Sequence, residues 1–297
     1  MSSPTEGVVY IATGRDYIQE AALSAKSLKE HNPDIHTTIF SDVSFDAPFF
    51  DDVRPLEDPS YDFGDSVISP EMAPYDRTLF LDTDTYVCEN LSEMFDILDR
   101  FDIAAAHNPG SRTAVHDDYE ARDVPKAFPQ YNTGVLLFND NSSTRAFFES
   151  WSDIYEENRE QTIAGLNQPA FREALYKSDL QIGTLPSEYN LRVRYEGSVG
   201  FMTDSVKIAH GRHPAGLPAV AERLNADDGM RVYSFRKWPV EMITKDPSYR
   251  YYVRTLLTEE TKPYTFRGRF YASIKERGLR DTASRIARDL KKASPFS

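Results

Sequence analysis

The chain contains one cysteine, Cys88, in 297 residues. A single thiol excludes an internal disulfide and any multi-cysteine metal site, and it suits a reducing compartment. With no base near it in sequence, Cys88 reads as a small buried residue and not as a nucleophile. No apolar run reaches the roughly 18 residues that span a bilayer. The opening Met1-Ser2-Ser3-Pro4-Thr5-Glu6 has neither the basic nor the apolar region of a secretory leader, which predicts a cytoplasmic protein. Glycine-rich phosphate cradles are missing too: neither a Gly-x-Gly-x-x-Gly turn nor a Walker loop follows the first apolar run. If a phosphate ligand is bound, its charge has to be met some other way, and a divalent cation is the best substitute. Positive charge is scarce over most of the chain. Residues 1–230 carry a net −22 against +9 for residues 231–297, which argues against nucleic acid as a partner of the main body. Arginine (23) outnumbers lysine (11), and that balance together with the acidic surface fits a high-salt proteome.

What is present reads as alternating strands and helices. Residues 7–13 form an apolar run, turned by Gly14-Arg15-Asp16. Tyr17, Ile18, Ala21, Ala22, Ala25 and Leu28 then share one helical face, stopped at His31-Asn32-Pro33-Asp34. The β-branched run 35–40 ends in Ser41-Asp42, completing a βαβ unit with parallel strands. Residues 43–72 read as an irregular loop packed by Phe45, Phe49, Phe50, Tyr61 and Phe63. Strands are expected at 78–81, at 102–106, from Gly134 onward, and at 205–211. Helices are expected after the capping-box spacing Asn90-Leu91-Ser92-Glu93, over 144–158 with an aromatic core stripe, and from about 167 with Pro169 in the first turn. The long loop 107–130 carries His107, His116, Asp117, Asp118 and Glu120, which reads as a solvated loop ahead of a second metal site.

The chemistry centres on Asp82-Thr83-Asp84. If the preceding strand continues through it, alternation points both carboxylates the same way at a strand end, where paired oxygens suit Mg²⁺ or Mn²⁺ shared with phosphate. Solvated turn carboxylates remain the other reading in so acidic a chain. His210, delivered by a late strand, would complete a two-carboxylate, one-imidazole set if aimed at the pair. Asn167 and Gln168 read as helix caps. The basic, aromatic segment 231–297 (Trp238, Tyr249, Tyr251, Tyr252) ends in an amphipathic pattern, Ile274, Leu279, Ile286 and Leu290 among Arg277, Arg280, Arg285, Arg288, Lys291 and Lys292. It suits an anionic membrane surface, or docking on the acidic body of its own chain or of a second copy in a homodimer.

Four stretches together, Tyr10 to Tyr17, Phe80 to Val87, Tyr131 to Asn139 and Lys207 to Gly211, resemble nucleotide-sugar glycosyltransferases of the A-type fold. The likeness is to the glycogenin-like and lipopolysaccharide-galactosyltransferase-like members of family 8, over about residues 7–213. The resemblance implies an α/β fold: one Rossmann-like catalytic domain (1–230) with a mixed, mostly parallel sheet flanked by helices, plus a helical or irregular extension (231–297). It implies Asp82, Asp84 and His210 on Mn²⁺ or Mg²⁺. Thr13, Gly14, Tyr17 and Asp42 fall at the base and ribose, with Arg77 and Thr83 in the donor-binding set. Asn132, Thr133 and Gly134 line the sugar, Gln168 lies near the anomeric carbon, and Asn190 falls in the family's Leu-Pro…Asn segment. Two departures stand out. Asn167 replaces the family's aspartate, and Gly211-Arg212-His213-Pro214 replaces its usual lysine-bearing segment, leaving Arg212 or His213 for the phosphate. The implied activity is transfer from a uridine diphosphate sugar to a glycan, glycolipid or protein hydroxyl, with retention. A sugar-1-phosphate nucleotidyltransferase and a non-catalytic nucleotide-sugar scaffold are the alternatives.

Overall fold

The computed structural model describes residues 5–46, 48–108, 124–161, 165–193, 199–213, 215–226, 231–235 and 242–245. Strand β1 (Glu6–Ala12) is buried beyond its first residue, as a strand covered on both faces must be. Gly14, at φ 82, turns the chain into α1 (Arg15–His31), which buries Ile18, Ala21, Ser24, Ala25, Ser27 and Leu28. β2 (His36–Ser41) then pairs with β1 in parallel register, Val8 opposite Thr37.

The region expected to be irregular holds a further strand, β3 (Asp52–Pro55), parallel to β2. Its short Asp-Val-Arg-Pro sequence gives no alternation to read, and pairing at the sheet edge decides the outcome. Phe50 is buried in the core, with Phe45 and Phe49 packed against it. Tyr61 and Phe63 do not join them; they stand 66% and 40% exposed.

β4 (Arg77–Leu81) leads to the acidic triplet, followed by an unforeseen short strand, β5 (Thr85–Val87). The next helix is a 3₁₀ segment, Ser92–Asp99, which buries Met94, Phe95 and Leu98. Its capping box does not form, because Leu91 occupies the cap position and Asn90 Oδ1 accepts only from Ser92 N at 3.0 Å. β6 (Ile103–His107), β7 (Tyr131–Asn139), α2 (Ser142–Asn158), α3 (Gln168–Lys177) and β8 (Ile182–Leu185) follow. The α2 stripe is core, as its spacing predicts: Phe147, Phe148, Trp151 and Tyr155 are buried, and Trp151 meets Phe171 of α3 edge-on at 5.1 Å.

Seven strands form one sheet in the order β3-β2-β1-β4-β7-β6-β8, parallel except where β7 runs against β4 and β6. The chain steps outward from β1 on both sides, to β2 and to β4, so a crevice opens beyond the carboxyl end of β1. A second, three-stranded sheet joins β5 to β9 (Leu191–Arg192) and, between them, a late strand at Ile208–His210.

The chain divides into two compact units, Met1–Arg194 with Ser205–Asp227, and Tyr195–Asp204 with Asp228–Ser297. The first contains everything above and a helix at Leu217–Asn225. In the second, β10 (Val199–Met202) pairs antiparallel with a strand at Arg231–Phe235, which pairs in turn with one at Met242–Lys245. In chain order these later elements are β11 (Ile208–His210), α4 (Leu217–Asn225), β12 (Arg231–Phe235) and β13 (Met242–Lys245). The part of 231–297 described is therefore strand, where a helical or irregular extension was expected. The amphipathic stretch 274–292 and the loop residues His116, Asp117, Asp118 and Glu120 lie outside the described residues. Among the described residues no helix is long and apolar enough to cross a membrane.

Candidate active site

Asp82 and Asp84 do converge, by a different route from strand alternation. β4 ends at Leu81, and the two carboxylates sit in a turn between β4 and β5. Each is fixed through the backbone: Asp82 N donates to Gly134 O at 2.8 Å, and Asp84 O accepts from Gly211 N at 2.8 Å. Buried hydroxyls brace the turn from beneath. Tyr10 Oη and Ser24 Oγ are 3.0 Å apart, Ser24 Oγ and Thr85 Oγ1 2.7 Å apart, and Thr85 Oγ1 donates to Asp82 O at 2.8 Å.

His210 arrives on β11, which lies between β5 and β9 with His210 opposite both Thr85 and Arg192. Its ring is 1% exposed, and Nε2 stands 3.3 Å from Asp82 Oδ2 and 3.2 Å from Asp84 Oδ1. Nδ1 is 2.8 Å from Asn190 Oδ1. An amide oxygen only accepts, so this contact assigns the ring proton to Nδ1 and leaves the Nε2 lone pair facing the carboxylates. The three side chains offer ligand atoms all within 4.8 Å of one another. Two carboxylate oxygens and a neutral imidazole make a donor set that fits Mn²⁺ or Mg²⁺.

Gly134 is the only residue type the site tolerates there. A Cβ on it would lie 2.2 Å from Asp82 Oδ2 and 2.2 Å from His210 Cε1. Next to it, Asn132 is fully buried; its Oδ1 accepts from Gly134 N at 3.2 Å and from Asn190 Nδ2 at 2.8 Å. Its Nδ2 has no partner among the described residues. An unpaired buried amide donor costs about 1–3 kcal/mol, a penalty that a ligand oxygen would relieve.

Two arginines face the acids. Arg212 grips Glu20 with Nε and Nη2, each at 2.7 Å, and its Nη1 is 3.6 Å from Asp84 Oδ2. Its guanidinium also lies 5.9 Å from the centre of the exposed Tyr17 ring. Arg192 places Nη1 2.6 Å from His210 Nε2. Burial pushes the Asp84 carboxyl up, but the His210 hydrogen bond, then the charges of His210, Arg212 and Arg192, outweigh it and hold the group well below its usual range. A cleft of about 500 Å³ opens beside Asp84, lined by Glu20, Thr83, Tyr86, Arg212 and Leu217 among others.

The remaining sequence candidates sort by position. Asp42 accepts from Gly14 N at 3.0 Å, and Thr13 Oγ1 donates to Asp65 at 2.8 Å, so the ends of β1 and β2 meet at the crevice. Thr83 Oγ1 donates to Glu20 at 2.8 Å. Asn167 and Gln168 do not cap α3 with their side chains. Thr133 Oγ1 donates to Asn167 Oδ1 at 3.4 Å, and Gln168 Oε1 accepts from the buried Asn108. Arg77 stands apart from the acidic turn. It opens β4, whose other end leads to Asp82, and is bound to Phe95 O, Asp99 and Glu6. Sequence reasoning missed Glu20, Asp65 and Arg192. Arg192 was within reach, since a period of two from Asn190 places it on the same side of the strand.

Residues 77–222 match the model of the nucleotide-diphospho-sugar transferase family. The fold is similar to that of a galactosyltransferase, LgtC, solved with donor and acceptor sugar analogs: TM-score 0.51, 18% identity, 74% of this chain and 94% of that one. It is also similar to the glycosyltransferase GlyE of Streptococcus pneumoniae TIGR4: TM-score 0.51, 17% identity, 75% of this chain and 61% of that one. No curated protein matches the chain by sequence.

Proposed function

We propose, from the premise that this chain is a glycosyltransferase of the A-type fold resembling family 8, that it moves a sugar from a uridine diphosphate donor to an acceptor hydroxyl with retention of configuration. The observation that carries this reading is the convergence of Asp82, Asp84 and His210 Nε2 beside the buried, unpartnered Asn132 amide. Those three side chains would hold Mn²⁺ or Mg²⁺, which when bound supplies Lewis-acid stabilisation of the departing diphosphate.

The rest falls to the chain's own groups. Gly14, Asp42 and Tyr17 border the crevice where base and ribose would sit. Gly134 lets the backbone approach the donor closely, and Asn132 Nδ2 offers a hydrogen bond to a sugar or phosphate oxygen. As the bond from the anomeric carbon to the phosphate oxygen breaks, the acceptor oxygen bonds to that carbon and its proton passes to the leaving phosphate. Neutral amides such as Gln168 are enough to steady the cationic sugar, and Asn167 in place of a carboxylate suits a reaction that forms no covalent intermediate.

Residues 1–230 are read as the catalytic body and 231–297 as an extension that brings it to a membrane-borne glycan acceptor. Cosedimentation with anionic vesicles, full length against a 1–265 truncation, tests that placement; equal partition refutes it.

For the reaction, the chain is incubated with a panel of nucleotide sugars and Mn²⁺ and the products are identified. Nucleoside diphosphate with transferred or hydrolysed sugar is expected, and Asp82→Ala should lower turnover by at least about 10²-fold while the fold is retained. Release of pyrophosphate would identify a nucleotidyltransferase instead, and unchanged turnover in the variant would refute the assignment.

A further inference from the structure

Arg192 occupies a place that the proposed chemistry leaves no room for. Its Nη1 lies 2.6 Å from Nε2 of His210 and 2.8 Å from Nδ1 of the same ring, and 3.4 Å from Asn132 Oδ1. Because the Nδ1 proton goes to Asn190, the guanidinium N–H donates to the Nε2 lone pair. That lone pair is the one a divalent ion needs.

The charges point the same way. Asp82 and Asp84 bring two negative charges, and Arg192 and Arg212 bring two positive ones; both guanidiniums act on Asp84. The site is therefore close to neutral without an ion. A divalent cation entering alone would leave an excess of two positive charges and would have to break the Arg192–His210 contact. A diphosphate arriving with it supplies the missing negative charge and, through its oxygens, a planar bidentate partner suited to a displaced guanidinium.

We propose that Arg192 is the resident counter-charge of this site: it holds His210 Nε2 in the absence of an ion, moves to the diphosphate when ion and nucleotide enter, and so makes their binding mutually dependent. This rests on the reading of Asp82, Asp84 and His210 as the cation site. Linkage makes the effect reciprocal, so nucleotide must tighten the ion by the factor by which the ion tightens nucleotide.

The test is calorimetric titration of the full chain with Mn²⁺, alone and with saturating uridine diphosphate, in the wild type, Arg192→Met, Arg192→Lys and Asp84→Asn, with thermal melts as a check on folding. In the wild type, nucleotide should tighten Mn²⁺ by about tenfold or more. Arg192→Met keeps much of the apolar stem and loses the charge, so it should bind Mn²⁺ alone about tenfold more tightly than wild type and show little further gain from nucleotide. Arg192→Lys should retain part of the coupling. A merely structural arginine would weaken Mn²⁺ binding in both variants. If Asp84→Asn abolishes Mn²⁺ binding but Arg192→Met leaves it unchanged or weaker, the role of Arg192 is overturned while the cation site stands. If wild type takes up no Mn²⁺ under either condition, both readings fall.

Discussion

Asn190 Oδ1 holds the Nδ1 proton of His210 at 2.8 Å, and this one contact decides which nitrogen of the ring faces the acids. Asn190 is itself 4% exposed and is fixed by its own amide on Asn132, so the imidazole is oriented by a rigid partner. Replacing Asn190 with alanine leaves that proton without its acceptor and frees the ring to turn. Mn²⁺ affinity measured with nucleotide present should fall by about 10–100-fold, the usual cost of losing such a support. An unchanged affinity would remove Asn190 from the positioning of His210.

Gly134→Ala is the most damaging single-methyl change available at the site. The added Cβ meets Asp82 Oδ2 and His210 Cε1, both at 2.2 Å, and both belong to groups that the backbone and Asn190 hold in place. Overpacking of this kind costs about 1–3 kcal/mol, so a lower melting temperature is expected together with loss of Mn²⁺ uptake. A variant that melts normally and binds Mn²⁺ like wild type would show that the turn is softer than these contacts imply.

Cys88 should be unreactive in the native protein. Burial pushes its thiol up to about 12, so almost no thiolate is present near neutral pH. Iodoacetamide at pH 8 is expected to leave the folded chain unlabelled by mass and to label it fully in denaturant; rapid labelling of the folded form would contradict this.

The edge of the sheet gives a pH-dependent term. Asp51 Oδ2 accepts from Lys29 Nζ at 2.7 Å and from Thr37 N at 2.9 Å. Burial raises the Asp51 carboxyl, but the Lys29 hydrogen bond, the Thr37 hydrogen bond and the Lys29 charge outweigh it, and the group ionises below its ordinary range. A depressed carboxyl contributes stability above its unfolded value, and this is lost as pH falls through the folded one. Asp51→Asn should therefore cost stability at pH 7, about 1 kcal/mol or less because the pair is partly exposed. That gap should close as pH drops below about 4. Denaturant melts of both proteins from pH 7 to pH 3 measure it, and a gap that persists at pH 3 would exclude the ion pair as its source.

Much of the fold could be read from periodicity. The buried runs of β1 and β2, the face of α1 and the aromatic stripe of α2 are dictated by local sequence, and they fell where expected. What stayed hidden was set by pairing at a distance. β5 and β9 are two or three residues long and exist because β11 lies between them, and no local pattern announces strands so short. The acidic pair and His210 were visible as residue types, and the family resemblance brought them together. Arg192 and Glu20 were not, because an arginine two places past Asn190 and a glutamate on a helix face look like solvated charges until the partner strand or the turn is in place. Tyr61 shows the opposite error: an aromatic residue in a loop was taken as packing, yet its ring stands in solvent.

The small sheet β5-β11-β9 also bears on how the molecule comes into being. Its middle strand carries the imidazole, and its register partners Thr85 and Arg192 lie 125 and 18 positions earlier in the sequence. A ribosome that has released the whole seven-stranded sheet, through Leu185, has not yet made the residue that closes the ion's coordination. The growing polypeptide can shape its sugar-nucleotide crevice early and still be unable to clamp a metal there until His210 emerges and threads between two strands already waiting for it. Premature chemistry on a half-made chain is thereby prevented by the order of synthesis alone.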